Sequence, residues 1–231
     1  MKPRFSNQRN HALTLIEVLV VIVVLAILVT MLSPALDSRP FKSPRINCVN
    51  NLKQIGLAYV LWAGDHNDKF PMQVSIANTN GGGTMELIST GNVLATFQIM
   101  SNELNTPKIL YCTADKDHTR ATDFTTSFSA KNISYFVGLD ADPTHPQMIL
   151  SGDDNFEVGG IPVKSGLVQF STNSNVAWTS GRHISYKEHF WTTTHGIGNI
   201  GFADGSVQQT SLDLQRAIQS TGLATNRLAI P

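Results

Sequence analysis

Hydrophobic positions in this chain follow two regimes. From Leu13 to Leu32 they run almost unbroken, and the twelve residues Val18–Val29 carry no polar side chain. The 20 residues from Leu13 to Leu32 match the ~20 that a helix needs to span the hydrocarbon core of a bilayer. The run is rich in β-branched residues (Val18, Val20, Val21, Ile22, Val23, Val24, Ile27, Val29), which are mediocre helix formers in water. In lipid, helix is the only way for a single segment to satisfy its own backbone hydrogen bonds. Glu17 alone breaks the apolar pattern near its start. Further on, Cys48, Leu52, Ile55, Tyr59 and Trp62 recur at spacings 4, 3, 4, 3, one face of a helix. That helix is predicted from Pro44 to about Ala63, with Ser43 as N-cap, Pro44 at its first position and the turn formers of 64–68 ending it. Pro34, Pro40 and Pro44 fall within eleven residues and predict a kinked or broken stretch over 33–43.

After Asp68 the pattern is that of a mixed domain. "NTNGGGT" (78–84) reads as a loop, and 95–104 as a short helix ended by Thr106-Pro107. Strands are predicted at 108–112, 133–138, 147–150 and 176–179, with "SGDDN" (151–155) as a turn. Near the C-terminus, Asn199–Ala203 and Ser206–Gln209 flank Asp204-Gly205, the two-residue signal of a type I′ hairpin. Ser211 then caps a last helix at about 212–220.

Length and composition add limits. At 231 residues and 42% hydrophobic, the chain fits one globular domain plus an appendage. Net charge is zero but unevenly spread: Lys2, Arg4 and Arg9 precede the apolar run with no acid, while 37–231 hold 14 bases and 16 acids. The basic leader places the N-terminus in the cytoplasm and the rest outside. No basic patch with interleaved aromatics argues for nucleic acid. Two cysteines, Cys48 and Cys112, fit either one disulfide in an exported protein or two buried thiols.

Candidate chemistry in the head is sparse. His183, His189 and His195, spaced by six, would align on one face of a strand and could hold a metal; ordinary surface or hydrogen-bonded histidines are the simpler reading. The pairs Asp115/Asp117 and Asp153/Asp154 are candidate calcium ligands, but no full ligand set is evident and solvated acidic loops fit as well. There is no HExxH, no cysteine-pair zinc pattern, no P-loop and no GxSxG. An ordinary signal peptide cut near Ser33-Pro34-Ala35 would have a shorter apolar core and would leave Glu17 unexplained.

"ALTLIEVLVVIVVLAIL" closely resembles the class III signal of type IV pilins and type II secretion pseudopilins. The resemblance implies that prepilin peptidase cuts on the cytoplasmic side, between Ala12 and Leu13, and methylates the new Leu13 amine. The usual pattern is Gly followed by Phe-Thr-Leu-Ile-Glu; Ala12 and Leu13 depart from it, while Glu17 and Pro34 match. It further implies that Glu17 of one subunit faces the Leu13 amine of a neighbour, so that an intramembrane carboxylate is paired and sets the axial register. "INCVNNLKQIGLAYVLWAGDHNDKFP", "LYCTADKD" and "NISYFVGLDAD" resemble pilin-like proteins of planctomycetes and verrucomicrobia, whose C-terminal region carries His, nine residues and Asp-Gly. Here eight residues separate His195 from Asp204-Gly205.

The expected fold is α+β: a long N-terminal transmembrane and assembly helix, then a globular head with a small antiparallel sheet packed on the helix's C-terminal half. The expected segments are a leader (1–12), the membrane helix (13–36), a kinked continuation (37–63) and the head (64–231). The expected role is a structural subunit, not an enzyme, polymerising into a type II secretion pseudopilus or a type IV-like pilus. Its partners would be prepilin peptidase, other pilin or pseudopilin subunits, the inner-membrane assembly machinery and the membrane, with no cofactor except the calcium candidate. It would sit in the inner membrane as a single-pass protein, head in the periplasm, reaching the cell surface after assembly. The rival reading is a membrane-tethered enzyme or carbohydrate-binding module with a borrowed N-terminus.

Overall fold

The computed structural model describes residues 14–32, 42–79, 81–180, 184–187, 194–210 and 214–231. Contacts divide the chain into two compact units, residues 1–40 and 41–231. The first contains helix α1 (Leu15–Leu32). All its described side chains, Thr14 to Thr30, are exposed. The late polar residue Thr30 is satisfied locally, its hydroxyl donating to the Ile27 carbonyl (2.8 Å). The kink expected at 33–43 falls mostly on 33–41, outside the described residues.

The second unit opens with α2 (Lys42–Asp65), which begins two residues before the predicted start, so Ser43 lies inside the helix instead of capping it. The stripe read from the sequence is its inner face: Cys48, Leu52, Ile55, Tyr59 and Trp62 are all buried. Asn67 and Asp68 end the helix in the left-handed region (φ 56° and 52°), which Asn and Asp tolerate better than other side chains. The Asp68 N–H donates back to the Ala63 carbonyl (2.9 Å), closing the last turn. Because its stripe lies in the head's core, α2 belongs to the head unit, which therefore starts near residue 41 and not at 64.

Three short helices follow: α3 (Met85–Ile88), α4 (Val93–Ile99) and α5 (Ser101–Leu104). The single helix predicted at 95–104 is thus two, starting earlier because Asn92 caps it by accepting from the Ala95 N–H (3.2 Å). The strands are β1 (Tyr135–Gly138), β2 (Ile149–Asp153), β3 (Phe156–Val158), β4 (Ile161–Pro162), β5 (Gly166–Ser171), β6 (Val176–Trp178), β7 (Ile184–Lys187), β8 (Thr194–Phe202), β9 (Val207–Thr210) and β10 (Thr225–Ile230); α6 (Leu214–Ser220) precedes β10. Ser211, its expected cap, lies outside the described residues.

All pairings are antiparallel. Seven strands form one sheet in the order β5-β10-β1-β2-β8-β7, with β9 also on β8, and β4-β3-β6 form a second. The pleat sorts the large sheet's side chains. Tyr135, Val137, Leu150 and Ala229 join the core beneath α2, whereas Phe136, Ile149, Ile200, Leu228 and Ile230 join Phe156, Trp178, Leu214 and Ile218 on the other face. The head is therefore layered: α2 and the short helices, the seven-stranded sheet, then the small sheet with α6. The expected single small antiparallel sheet is thus two antiparallel sheets, the larger of seven strands, and burial on both faces explains why its central strands do not alternate apolar with polar.

Two local predictions fail for identifiable reasons. Residues 108–112 are not a strand: Pro107, with fixed φ and no N–H, opens a 3₁₀ turn over Pro107–Leu110. Residues 151–153 are not a turn but the end of β2. The Ser151 hydroxyl is satisfied within the sheet, donating to the Phe136 carbonyl (2.7 Å).

Strand β8 carries Gly196 and Gly198 where Trp178 lies against it. A Cβ on Gly198 would meet the Trp178 ring at 2.3 Å, and one on Gly196 the Trp178 carbonyl oxygen at 2.2 Å. The ring is fixed by its Nε1–H donating to Thr210 Oγ1 (2.8 Å). Gly198→Ala is expected to cost about 1–3 kcal/mol through overpacking. Gly64→Ala, in α2 with nothing within 4 Å of its Cβ, is expected to be neutral or mildly stabilising. Urea midpoints of the two variants test this; equal midpoints would mean that β8 and Trp178 separate easily.

Candidate functional site

At the start of α1 the side chain of Glu17 folds back on the helix terminus. The Thr14 N–H donates to Glu17 Oε2 (2.8 Å), and the Thr14 hydroxyl donates to the same oxygen (3.0 Å). In return the Glu17 N–H reaches Thr14 Oγ1 (3.4 Å) and the Thr14 carbonyl (3.0 Å). This is a capping box, Thr-x-x-Glu, satisfying backbone donors that the first helical turn otherwise leaves open. The signal is present in "TLIE", but a reading of Glu17 only as a membrane charge passes over it. Ala12 and Leu13, the expected cleavage and methylation positions, lie outside the described residues.

In the head, a disulfide joins Cys48 of α2 to Cys112 (Cα–Cα 5.2 Å). It fastens the loop that follows the 3₁₀ turn to the first turns of α2. One turn along, Asn51 Nδ2 donates to the Tyr111 carbonyl (2.9 Å) and to the Tyr135 hydroxyl (3.2 Å). Past the bridge the loop places Asp115 and His118 together: Nδ1 of His118 lies 2.6 Å from Asp115 Oδ2, while Asp115 Oδ1 accepts from the Asp117 N–H (2.9 Å). Asp154, on the turn between β2 and β3, approaches the same place. Ligand-type atoms of Asp115, His118 and Asp154 all lie within 4.8 Å of one another.

Adjacent residues are polar and buried. Asp153, fully buried, accepts from Asn199 N–H (2.9 Å) and Nδ2 (2.8 Å), tying β2 to β8. Asn155 donates to the carbonyls of Thr179 (3.3 Å) and Ile197 (3.2 Å), and its own Oδ1 is buried with no hydrogen-bond partner among the described residues. Burial, then the negative charges of Asp153 and Asp115, push the Tyr135 phenol well above its usual range. The two Asp pairs singled out in the sequence are thus regrouped: one member of each meets a histidine that the sequence did not single out.

Residues 7–33 match a family model described as the prokaryotic N-terminal methylation motif, the signature of type IV pilins and pseudopilins. The chain carries the pilin signature. No curated protein and no solved structure matches it. The motif implies processing by prepilin peptidase, N-methylation and pilin-type assembly with other subunits, and it suggests a membrane-anchored protein. The described helix within this motif, Leu15–Leu32, comprises 18 residues. Among the described residues, no helix is long and apolar enough to cross a membrane.

The C-terminal hairpin of this pilin-like chain differs from its expected form. Only Gly205 (φ 79°) is left-handed; Asp204 is not, so the loop is not type I′. The Gly205 N–H donates to the Phe202 carbonyl and the Phe202 N–H to that of Ser206 (both 2.9 Å), a three-residue loop with a left-handed Gly at its end. Asp204 Oδ1 stabilises it by accepting from the Ser206 N–H (2.8 Å). The loop is pressed on α2, where a Cβ on Gly56 would lie 3.1 Å from Gly205 Cα. His195 pairs across from Tyr186 in the β7–β8 ladder, roughly 23 Å along the strand from the loop. His195 and Asp204-Gly205 therefore do not form one site. His183 and His189 lie outside the described residues.

Proposed function

We propose that this chain is a prepilin-like structural subunit. Prepilin peptidase cleaves it between Ala12 and Leu13 and methylates Leu13. The subunit then polymerises through its N-terminal helix into a type II secretion pseudopilus or a type IV-like pilus. Before assembly it is a single-pass inner-membrane protein with a cytoplasmic N-terminus and a periplasmic head; assembly carries the head outward, to the cell surface in the case of a pilus. Its partners are the peptidase, other pilin or pseudopilin subunits and the inner-membrane assembly machinery. The role is structural, not enzymatic, and polymerisation itself calls for no cofactor.

The methylation motif at 7–33 carries this reading. The exposed apolar surface of α1 supports it, since a helix hydrophobic all round needs lipid or other helices around it. Mass spectrometry of protein extracted from membranes is expected to find a chain beginning at methylated Leu13. A mature chain beginning after Ala35 would identify an ordinary signal peptide and overturn the proposal.

A further inference from the structure

We propose that Asp115, His118 and Asp154 form a binding site for one divalent transition-metal ion of the zinc class, which ties the loop after Cys112 to the turn between β2 and β3. Three donors of the right chemistry converge there from two separate segments. A metal bound by N and O donors at about 2.0–2.2 Å holds them roughly 3.3–3.5 Å apart. The donor atoms already lie within 4.8 Å of one another. His118 Nδ1 and Asp115 Oδ2 are already in contact at 2.6 Å, and a metal ion would bind Nδ1 in its unprotonated form.

The setting favours a structural ion. Asp115 is 4% exposed and Asp154 1%, and the His118 side chain 10%. Buried carboxylates are held by pairing, hydrogen bonds or metal coordination, and this cluster offers a metal three donors at once. Both ligand-bearing segments are held before any ion arrives: one by the disulfide and by the Cys112 N–H donating to Ser134 Oγ (3.1 Å), the other by Asp153 on Asn199. The Asp117 N–H on Asp115 Oδ1 orients that carboxylate, as outer-shell partners of metal ligands commonly do. On the same turn as Asp154, the side-chain oxygen of Asn155 is buried with no hydrogen-bond partner among the described residues. One imidazole with two carboxylates matches zinc, with water as a fourth ligand, better than calcium, which takes six to eight oxygens. The cysteines, locked in their bridge, do not compete.

The test uses the untagged full-length chain in detergent, stripped with EDTA and titrated with zinc against a chromophoric chelator. One equivalent of zinc is expected to bind at micromolar affinity or tighter. The melting temperature should rise by about 5–10 °C when free zinc is about 100-fold above Kd. His118→Ala and Asp154→Asn should each weaken binding by at least about 100-fold, the upper end of what loss of an outer-shell partner alone does. Asp65→Asn, at the exposed end of α2, should leave it unchanged. If a variant misfolds by near-ultraviolet circular dichroism, cobalt substitution of the wild type decides instead, with a d–d spectrum of nitrogen and oxygen ligands expected. Failure of the wild type to take up stoichiometric zinc, uptake retained in both folded variants, or calcium displacing zinc at equal concentration would each overturn the proposal. None of these outcomes bears on cleavage after Ala12, so the pilin reading is tested separately.

Discussion

Replacing Cys48 and Cys112 together by alanine is expected to lower the stability of the head by about 4 kcal/mol. The two residues are separated by 64 positions, and a loop of that size closed by a covalent bond removes about 4 kcal/mol of chain entropy from the unfolded state. That is a large part of the roughly 5–15 kcal/mol by which a domain is usually stable. Both side chains are fully buried in the core beneath α2, so the deletion also leaves a small cavity there. The native loop would keep some anchorage through Asn51 on Tyr111 and Tyr135, which is why the loss is placed near the loop-entropy figure and not far above it. Urea unfolding of the oxidised wild type and the double variant, monitored by tryptophan fluorescence, measures the difference. A loss below about 1 kcal/mol would mean that the bridge constrains little and that α2 and the loop are held by packing alone.

The pairing of those cysteines shows where sequence stops. The proposed export of these cysteines rests on the basic leader and the apolar run, while the helix that carries Cys48 is legible from its 4, 3, 4, 3 stripe. That Cys112 comes within bonding distance depends on a 3₁₀ turn that Pro107 imposes on residues which, by composition, read as a strand. The same limit hides the Asp115–His118–Asp154 cluster. Asp115 and His118 are neighbours in sequence, but Asp154 joins them only because β2 runs through "SGD" instead of turning there. "SGDDN" has turn composition; it becomes strand because Asn199 and the Phe136 carbonyl supply partners that a local pattern does not display. Gly152 belongs there for packing, since a Cβ would strike the Phe136 ring at 2.7 Å. Other strands, such as β5 and β10, are given by long-range pairing, β5 with β10 and β10 with β1. Where a signal is local and chemically specific, as in the methylation motif or the Thr14–Glu17 box, it can be read directly from the residues.

Glu17→Gln is expected to leave membrane insertion and cleavage intact and to abolish or severely reduce filament assembly. In the single chain the Glu17 carboxylate has a local task, accepting from Thr14 at the head of α1. Glutamine performs that task too, since a capping box takes Glu or Gln at its third helical position. The substitution therefore preserves the helix start and the side-chain volume while removing the negative charge. Insertion should be as good as or slightly better than wild type, because the charged form is the costly one in hydrocarbon. What is lost is the partner of the Leu13 amine that cleavage creates on a neighbouring subunit, and the loss repeats at every subunit of the polymer. Glu17→Ala removes the cap as well as the charge and separates the two roles. If the carboxylate serves mainly as a cap, Gln should assemble normally and Ala should fail, with reduced helix content in detergent. If it sets register, both should fail alike, and only Ala should lose helix. Membrane content, the fraction cleaved after Ala12 and the yield of sheared filaments are measured separately for the two variants beside the wild type. Normal filament yield from Glu17→Gln would assign the residue to the Thr14 cap and remove the register role from the proposed assembly.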